Sequence, residues 1–239
     1  MRILVVNDDG VLSPGIVALA ETAARMGEVW VVAPLEQCSA MSQKLTIFDE
    51  MAVRRVDFPA PVRGAWSVGG SPADCVMLAL EHLLDFRPDY VFSGVNEGWN
   101  AGFDIAYSGT VGACHEAVMR GIPAIAFSNK GRSDLSLARE RMESLARELI
   151  ALGQAPGEIW NINFPGCPAG ECRGVLYERR IAPVPAYRGL VSARREGDAE
   201  LIRLTGVPCT RAEAPDGTDI AAVLDGYISV GKIKCPVLL

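Results

Sequence analysis

Residues 2–10 read Arg2-Ile3-Leu4-Val5-Val6-Asn7-Asp8-Asp9-Gly10, an apolar run that stops abruptly at two adjacent carboxylates and a glycine. A short apolar run closed by turn residues suits a buried β-strand. Ser13 as helix N-cap, Pro14 at the first helical position and Gly27 at the far end then bracket a helix. Its buried stripe is Ile16, Leu19, Ala23 and Met26. A second apolar run, Val29 to Ala33, stops at Pro34. Strand, helix and strand in this order form a βαβ unit, whose strands are parallel and joined by a right-handed crossover.

The alternation continues outward from that unit. Ser71-Pro72-Ala73-Asp74 supplies an N-cap, a first-turn proline and a capping-box acid for a helix to about Leu84, and Tyr90 to Ser93 is the next strand. Gly109 to Arg120 reads as a helix closed by Gly121, and Ala124 to Phe127 as a strand. Ser133 is the expected cap of a helix with the stripe Leu135, Ala138, Met142, Leu145 and Leu149, and Ile159 to Ile162 follows as a strand. After Phe164 the pattern turns to prolines, glycines and short runs such as Val175 to Glu178 and Leu201 to Leu204, which suit antiparallel β-structure, and Thr218-Asp219 marks one short helix. The expected architecture is α/β: a Rossmann-like, doubly wound, mostly parallel sheet over residues 1–165, then a β-rich C-terminal extension over 166–239 belonging to the same domain.

With 239 residues, 49% of them apolar, the chain can bury a core of ordinary size. The net charge is -6 and the basic residues come as scattered pairs such as Arg179-Arg180 and Arg194-Arg195, which gives no reason to expect a nucleic-acid polymer as partner. Acids follow the first apolar run too soon for a secretory signal, and no uncharged apolar stretch approaches the ~20 residues of a membrane span. The seven cysteines are dispersed, with no Cys-x-x-Cys pair, and predict reduced thiols in a cytoplasmic protein.

In an open parallel sheet the ligand site lies outside the carboxyl ends of the strands. Three segments occupy such positions: Asn7-Asp8-Asp9-Gly10, Gln37-Cys38-Ser39, and Ser93 to Asn100. Neighbouring carboxylates repel, and one pKa rises unless a cation neutralises them, so Asp8 and Asp9 point to a metal ion. The oxygens of Ser39 and Asn96 are candidates to complete the shell. An all-oxygen set suits Mg²⁺, Mn²⁺ or Ca²⁺ and disfavours zinc or copper. Each residue also has a plainer reading: a solvated turn for Asp8-Asp9, a loop cap for Ser39 and a left-handed turn for Asn96. Tyr107-Ser108-Gly109-Thr110-Val111-Gly112 has the small residues of an anion site at a helix start but no Walker lysine, and Ser108 or Thr110 serves equally well as a helix cap.

Other motifs carry less. There is no Gly-x-Gly-x-x-Gly after the first strand and no Gly-x-Ser-x-Gly elbow. His115, one turn into the helix after Thr110, is a candidate acid or simply a helix histidine, as is His82. Cys38 beside Ser39 has no identifiable base. A strand ending in two acids also opens the Mg²⁺-binding receiver domains of two-component signalling, but the expected phosphoacceptor strand here reads Tyr90-Val91-Phe92-Ser93-Gly94, without an acid. A non-catalytic, metal-dependent nucleotide-binding protein is the other alternative.

Together with Ala33-Pro34, Pro72-Ala73-Asp74-Cys75-Val76, Gly121-Ile122-Pro123-Ala124-Ile125-Ala126, Asn161-Ile162-Asn163-Phe164-Pro165 and Gly226-Tyr227-Ile228-Ser229, these motifs resemble, in order and spacing, the SurE family of survival proteins over almost the whole chain. The resemblance implies a metal-dependent 5'(3')-nucleotidase acting on nucleoside monophosphates, sometimes on short polyphosphate. It implies one Mg²⁺ or Mn²⁺ per subunit on Asp8, Asp9, Ser39 and Asn96, and a Rossmann-like core whose β-rich arm is exchanged in a homodimer or homotetramer. The expected mechanism is attack by a metal-activated water, with Asp8 or Asp9 orienting it and Asn96, Ser108 and Thr110 stabilising the phosphate oxygens. The chain departs from the family pattern at Ala40 and Ala117, where glycines are usual, and at Gly231-Lys232, where Thr-Pro is usual.

Overall fold

The computed structural model describes residues 1–131 and 134–238, so the expected Ser133 cap lies outside the described residues. Its main sheet contains β1 (Arg2–Val6), β2 (Glu28–Pro34), β3 (Val53–Arg55), β4 (Gly64–Val68), β5 (Tyr90–Glu97), β6 (Ala124–Asn129), β7 (Glu158–Phe164), β8 (Val175–Leu176) and β11 (Ile228–Lys234). The strand order is β3-β4-β2-β1-β5-β6-β7-β11-β8. From β4 through β7 every neighbouring pair is parallel. A separate hairpin pairs β9 (Tyr187–Glu196) with β10 (Ala199–Pro208).

Helices cover both faces, which is why β1 is apolar at every position from Ile3 to Val6 and does not alternate. Ile3 and Val5 pack toward α1 (Pro14–Ala24) and α4 (Ser136–Leu152), while Leu4 and Val6 pack toward α2 (Pro72–Leu78) and α3 (Gly109–Met119). The Ser71 capping box on α2 forms as expected, and a π-helical turn carries the chain on through Leu83. α5 (Asp219–Leu224), capped by Thr218, packs with Trp99, Ala101 and Ala182 in a smaller cluster. Among the described residues no helix is long and apolar enough to cross a membrane. The seven cysteines are free thiols.

The doubly wound, mostly parallel architecture is as the sequence predicts, with three differences. The strands β3 and β4 have no counterpart in the sequence reading, because two of the three β3 residues are arginines and β4 is a five-residue run between glycines. β8 pairs parallel with β11, although short alternating runs suggest antiparallel structure there, and β11 itself runs antiparallel beside β7. Ser13 stands at the N-cap of α1 without a capping hydrogen bond, since its hydroxyl instead accepts from the Asn7 side chain at 2.8 Å.

The strand order positions the site. From β1 the chain winds outward through β2 to β4, then returns to the other flank of β1 as β5 and winds the opposite way. The sheet therefore reverses between β1 and β5, and the crevice at such a switch point opens at the carboxyl ends of both strands.

Candidate active site

Asp8 and Asp9 follow β1, and Asn96 lies near the end of β5. The Asn7 side chain donates to Gly10 O at 2.9 Å and to Ser13 Oγ, folding the turn that carries both acids. Asp8 is only 3% exposed. Its Oδ1 accepts from Thr110 Oγ1 at 2.6 Å, and the Thr110 backbone N–H also donates to it. Burial pushes the Asp8 pKa up to about 7, the Thr110 hydroxyl opposes that rise, and the Asp9 charge adds to it. Asp9 is less enclosed. Burial raises its pKa too, countered by the Glu97 N–H that donates to Oδ2 at 2.9 Å.

Gln37 links the second strand end to this centre, its side-chain nitrogen lying 3.0 Å from Ser39 Oγ and 3.5 Å from Asp9 Oδ1. The Asn96 side-chain NH₂ donates to Gly98 O at 2.8 Å, which orients its Oδ1 as the remaining acceptor. Asn96 is part of β5 and its φ is not positive, so the left-handed turn reading does not apply. Two carboxylates with two neutral oxygens would offer a hard-oxygen donor set, the chemistry that suits Mg²⁺ or Mn²⁺. Among the described residues no group of three or more His, Cys, Asp or Glu offers an alternative centre.

Ser108 caps α3, its Oγ accepting from Val111 N at 3.0 Å. The Thr110 hydroxyl donates to Asp8, which ties the start of α3 to that carboxylate. A side chain at Gly109 would put its Cβ 3.0 Å from Asp8 Cβ, so the glycine lets the helix start approach the acid closely. His115 is half-buried in α3 and burial lowers its pKa, which keeps the ring neutral, whereas His82 is exposed. Cys38 donates to Glu36 O and Gly70 O, and burial together with Asp8 raises its pKa, which disfavours a nucleophilic thiolate. Sequence reasoning passed over the Gln37 side chain and the Glu97 N–H. Gln37 lay in a quoted strand-end segment, but an uncharged amide has no spacing rule to single it out.

At the departures from the family pattern, Ala40 adopts φ 59, the left-handed conformation for which glycine is the default residue. Ala117 is fully buried in α3. Lys232, on β11, pairs with Glu158 at 2.7 Å and lies over the Trp160 ring, so Gly231-Lys232 is accommodated within the β7–β11 ladder.

The fold and these contacts define a Rossmann-like α/β protein with an acidic, oxygen-rich site at its switch point. A family model described as "Survival protein SurE" matches residues 3–182. The 5'-nucleotidase SurE of Polaromonas naphthalenivorans (strain CJ2) is 39% identical over 241 residues, covering 96% of this chain and 90% of the relative. That of Heliobacterium modesticaldum (strain ATCC 51547 / Ice1) is 37% identical over 239 residues, covering 98% and 86%. The crystal structure of the SurE protein from Aquifex aeolicus superposes with a TM-score of 0.84 at 33% identity, covering 99% of this chain and 94% of that one. The chain belongs to the SurE family.

Proposed function

We propose that this chain is a metal-dependent 5'-nucleotidase that hydrolyses nucleoside 5'-monophosphates to nucleoside and phosphate. The observation that supports the reading is the hydrogen-bond network at the strand ends: Thr110 at the amino end of α3 donates to Asp8, the Glu97 N–H donates to Asp9, and Gln37 reaches both Asp9 and Ser39, while Asn96 lines one cavity with Asp9. The names of the curated relatives support the same activity.

One Mg²⁺ or Mn²⁺ held by those four residues would supply Lewis acidity toward the phosphate and the attacking water. Asp9, the less buried acid, orients that water for in-line attack. Ser108 accepts the Val111 N–H and still has its own hydroxyl hydrogen to donate to a phosphate oxygen, with the start of α3 favouring negative charge there. Thr110 holds the Asp8 carboxylate in place. Replacement Thr110→Val removes that donor, so Mn²⁺ affinity in a calorimetric titration is expected to fall about ten- to hundredfold, as for other residues that orient ligands.

The β9–β10 hairpin is the proposed subunit-exchange arm of a homodimer or homotetramer. Val191 and Leu204 are cross-strand partners, and Ala193 and Ile202 lie two residues along on the same face. Val191, Ile202 and Leu204 are all well exposed, an apolar stripe that a second subunit would cover. The expected location is the cytoplasm.

The test is phosphate release from a panel of nucleoside 5'- and 3'-monophosphates and short polyphosphate, with Mg²⁺, with Mn²⁺ and with chelator. Multiple turnovers on 5'-monophosphates are expected, lost on chelation and restored by either ion. Undiminished rates in chelator would refute the metal role. Nucleotide binding with no phosphate release would favour a purely binding protein, and stable labelling of the chain by a phosphodonor without turnover a receiver-like one.

A further inference from the structure

Cys167-Pro168-Ala169-Gly170-Glu171-Cys172 lies between the end of β7 and the start of β8, apart from the Asp8-Asp9 centre. Cys38, Cys75, Cys114, Cys209 and Cys235 are buried, whereas Cys167 and Cys172 are both half-buried and open to a small reagent. The chain between them folds back on itself. Glu171 N donates to Pro168 O at 2.9 Å and Cys172 N to Ala169 O at 3.2 Å, closing a 3-10 turn over Ala169–Glu171. Both cysteine side chains pack on the edge of the core beneath α1 and α4, and their thiols are in hydrogen-bonding contact with each other. A disulfide forms only where two sulfurs can come together, and this turn already holds them side by side.

The segment is also a junction. Phe164 O, three residues before Cys167, accepts from the Trp99 indole N–H at 2.7 Å. Just after Cys172, Arg173 N donates to Gly226 O at 3.0 Å, and Gly174 O accepts from Ile228 N at 2.9 Å. A link across the turn therefore ties the parallel core to the C-terminal strands.

We propose that Cys167 and Cys172 are a redox-modification site, converted by a low-molecular-weight disulfide such as oxidised glutathione into an intramolecular disulfide that fastens the C-terminal extension to the core. The Cys172 thiolate attacks one sulfur of oxidised glutathione, releasing one glutathione thiolate and leaving a mixed disulfide. The Cys167 thiolate then attacks the Cys172 sulfur, the protein S–S bond forms, and the second glutathione leaves. The cysteine pair loses two electrons, the reagent gains them, and the two thiol protons pass to the released glutathiones. Burial pushes the Cys167 thiol up, which gives it the second, intramolecular step, where nearness to Cys172 offsets the scarcity of its thiolate. In cytosolic proteins such bonds are usually transient and catalytic or redox-sensing. The site stands independently of the nucleotidase reading.

The experiment incubates the native full chain with oxidised glutathione, quenches with acid, alkylates the remaining thiols in denaturant and maps the cysteines by peptide mass. A single Cys167–Cys172 bond is expected, with every other cysteine alkylated and the bond reversed by excess dithiothreitol. Closing so short a loop is expected to raise the thermal midpoint by about 4–8 °C over the reduced protein, once the reagent is removed. Cys167→Ser is expected to stop at a mixed disulfide between Cys172 and glutathione, with no gain in midpoint. A wild-type chain that keeps all of its thiols overturns the proposal. So does a bond between any other two cysteines, or an oxidised form no more stable than the reduced one.

Discussion

Replacing Asp8 by asparagine is expected to lower nucleotidase turnover by about three orders of magnitude, the scale at which a lost metal ligand and its charge act on phosphoryl transfer. The same change is expected to stabilise the metal-free protein at neutral pH. Asp8 is buried, and without a cation its folded-state pKa rises to about 7 from 3.8. A carboxyl group with a raised folded pKa binds its proton more tightly in the native state than in the unfolded one. Stability contributed by the protonated form is therefore complete below about pH 4 and is lost progressively as pH rises to about 7, an interval worth on the order of 4 kcal/mol. Asparagine has nearly the same shape and no charge, so its thermal midpoint should not fall over this interval as the wild type's does. Steady-state phosphate release and thermal unfolding between pH 4 and pH 8, both in chelator and with Mg²⁺, measure the two effects. Added Mg²⁺ should restore wild-type stability at pH 7 and leave the variant unchanged. A variant that is both active and no more stable than wild type at pH 7 in chelator would rule out the metal-ligand role of Asp8.

Gly15→Ala is expected to destabilise the protein by about 3 kcal/mol or more and to abolish most activity, although alanine is the better helix former by about 1 kcal/mol. Gly15 lies in the first turn of α1, where a Cβ would fall 2.0 Å from the Val95 carbonyl oxygen. Ordinary contact at that oxygen begins near 3.4 Å, so helix and strand must separate by more than an ångström. The obstacle is backbone on β5, which cannot rotate aside as a side chain would. The displaced residue directly precedes Asn96, so the strain falls on the position of that proposed metal ligand as well as on the core. Denaturant unfolding together with turnover at saturating metal tests this. A stabilised or fully active variant would show that α1 can shift without cost.

The candidate site was legible in the sequence to the extent that strand ends are. Asp8, Asp9, Ser39 and Asn96 each follow or close an apolar run, and in a parallel sheet such positions lie on one edge. Their hydrogen-bond partners were not legible. For Ser108 and Thr110 the sequence allowed a cap or an anion contact equally, because a hydroxyl at a helix start satisfies either. Folding separates the two residues, giving Ser108 the cap and turning Thr110 toward Asp8, 102 residues away in sequence. β3 and β4 escaped notice because each is short and takes its stability from a neighbouring strand more than from its own pattern. The parallel pairing of β8 escaped for the same reason, since two residues carry no periodicity that fixes direction.

Residue order alone sets the alternation of apolar runs and capped helices, the parallel winding that follows, and the row of oxygen-bearing residues where the runs stop. All of these are local, set by periodicity, caps and chirality within a few dozen residues. That the winding reverses between β1 and β5, and that Asp8 is enclosed while Asp9 is less so, follows from packing alone. These depend on which distant segments are packed together, and the burial that raises the Asp8 pKa exists only once helices close over both faces of the sheet.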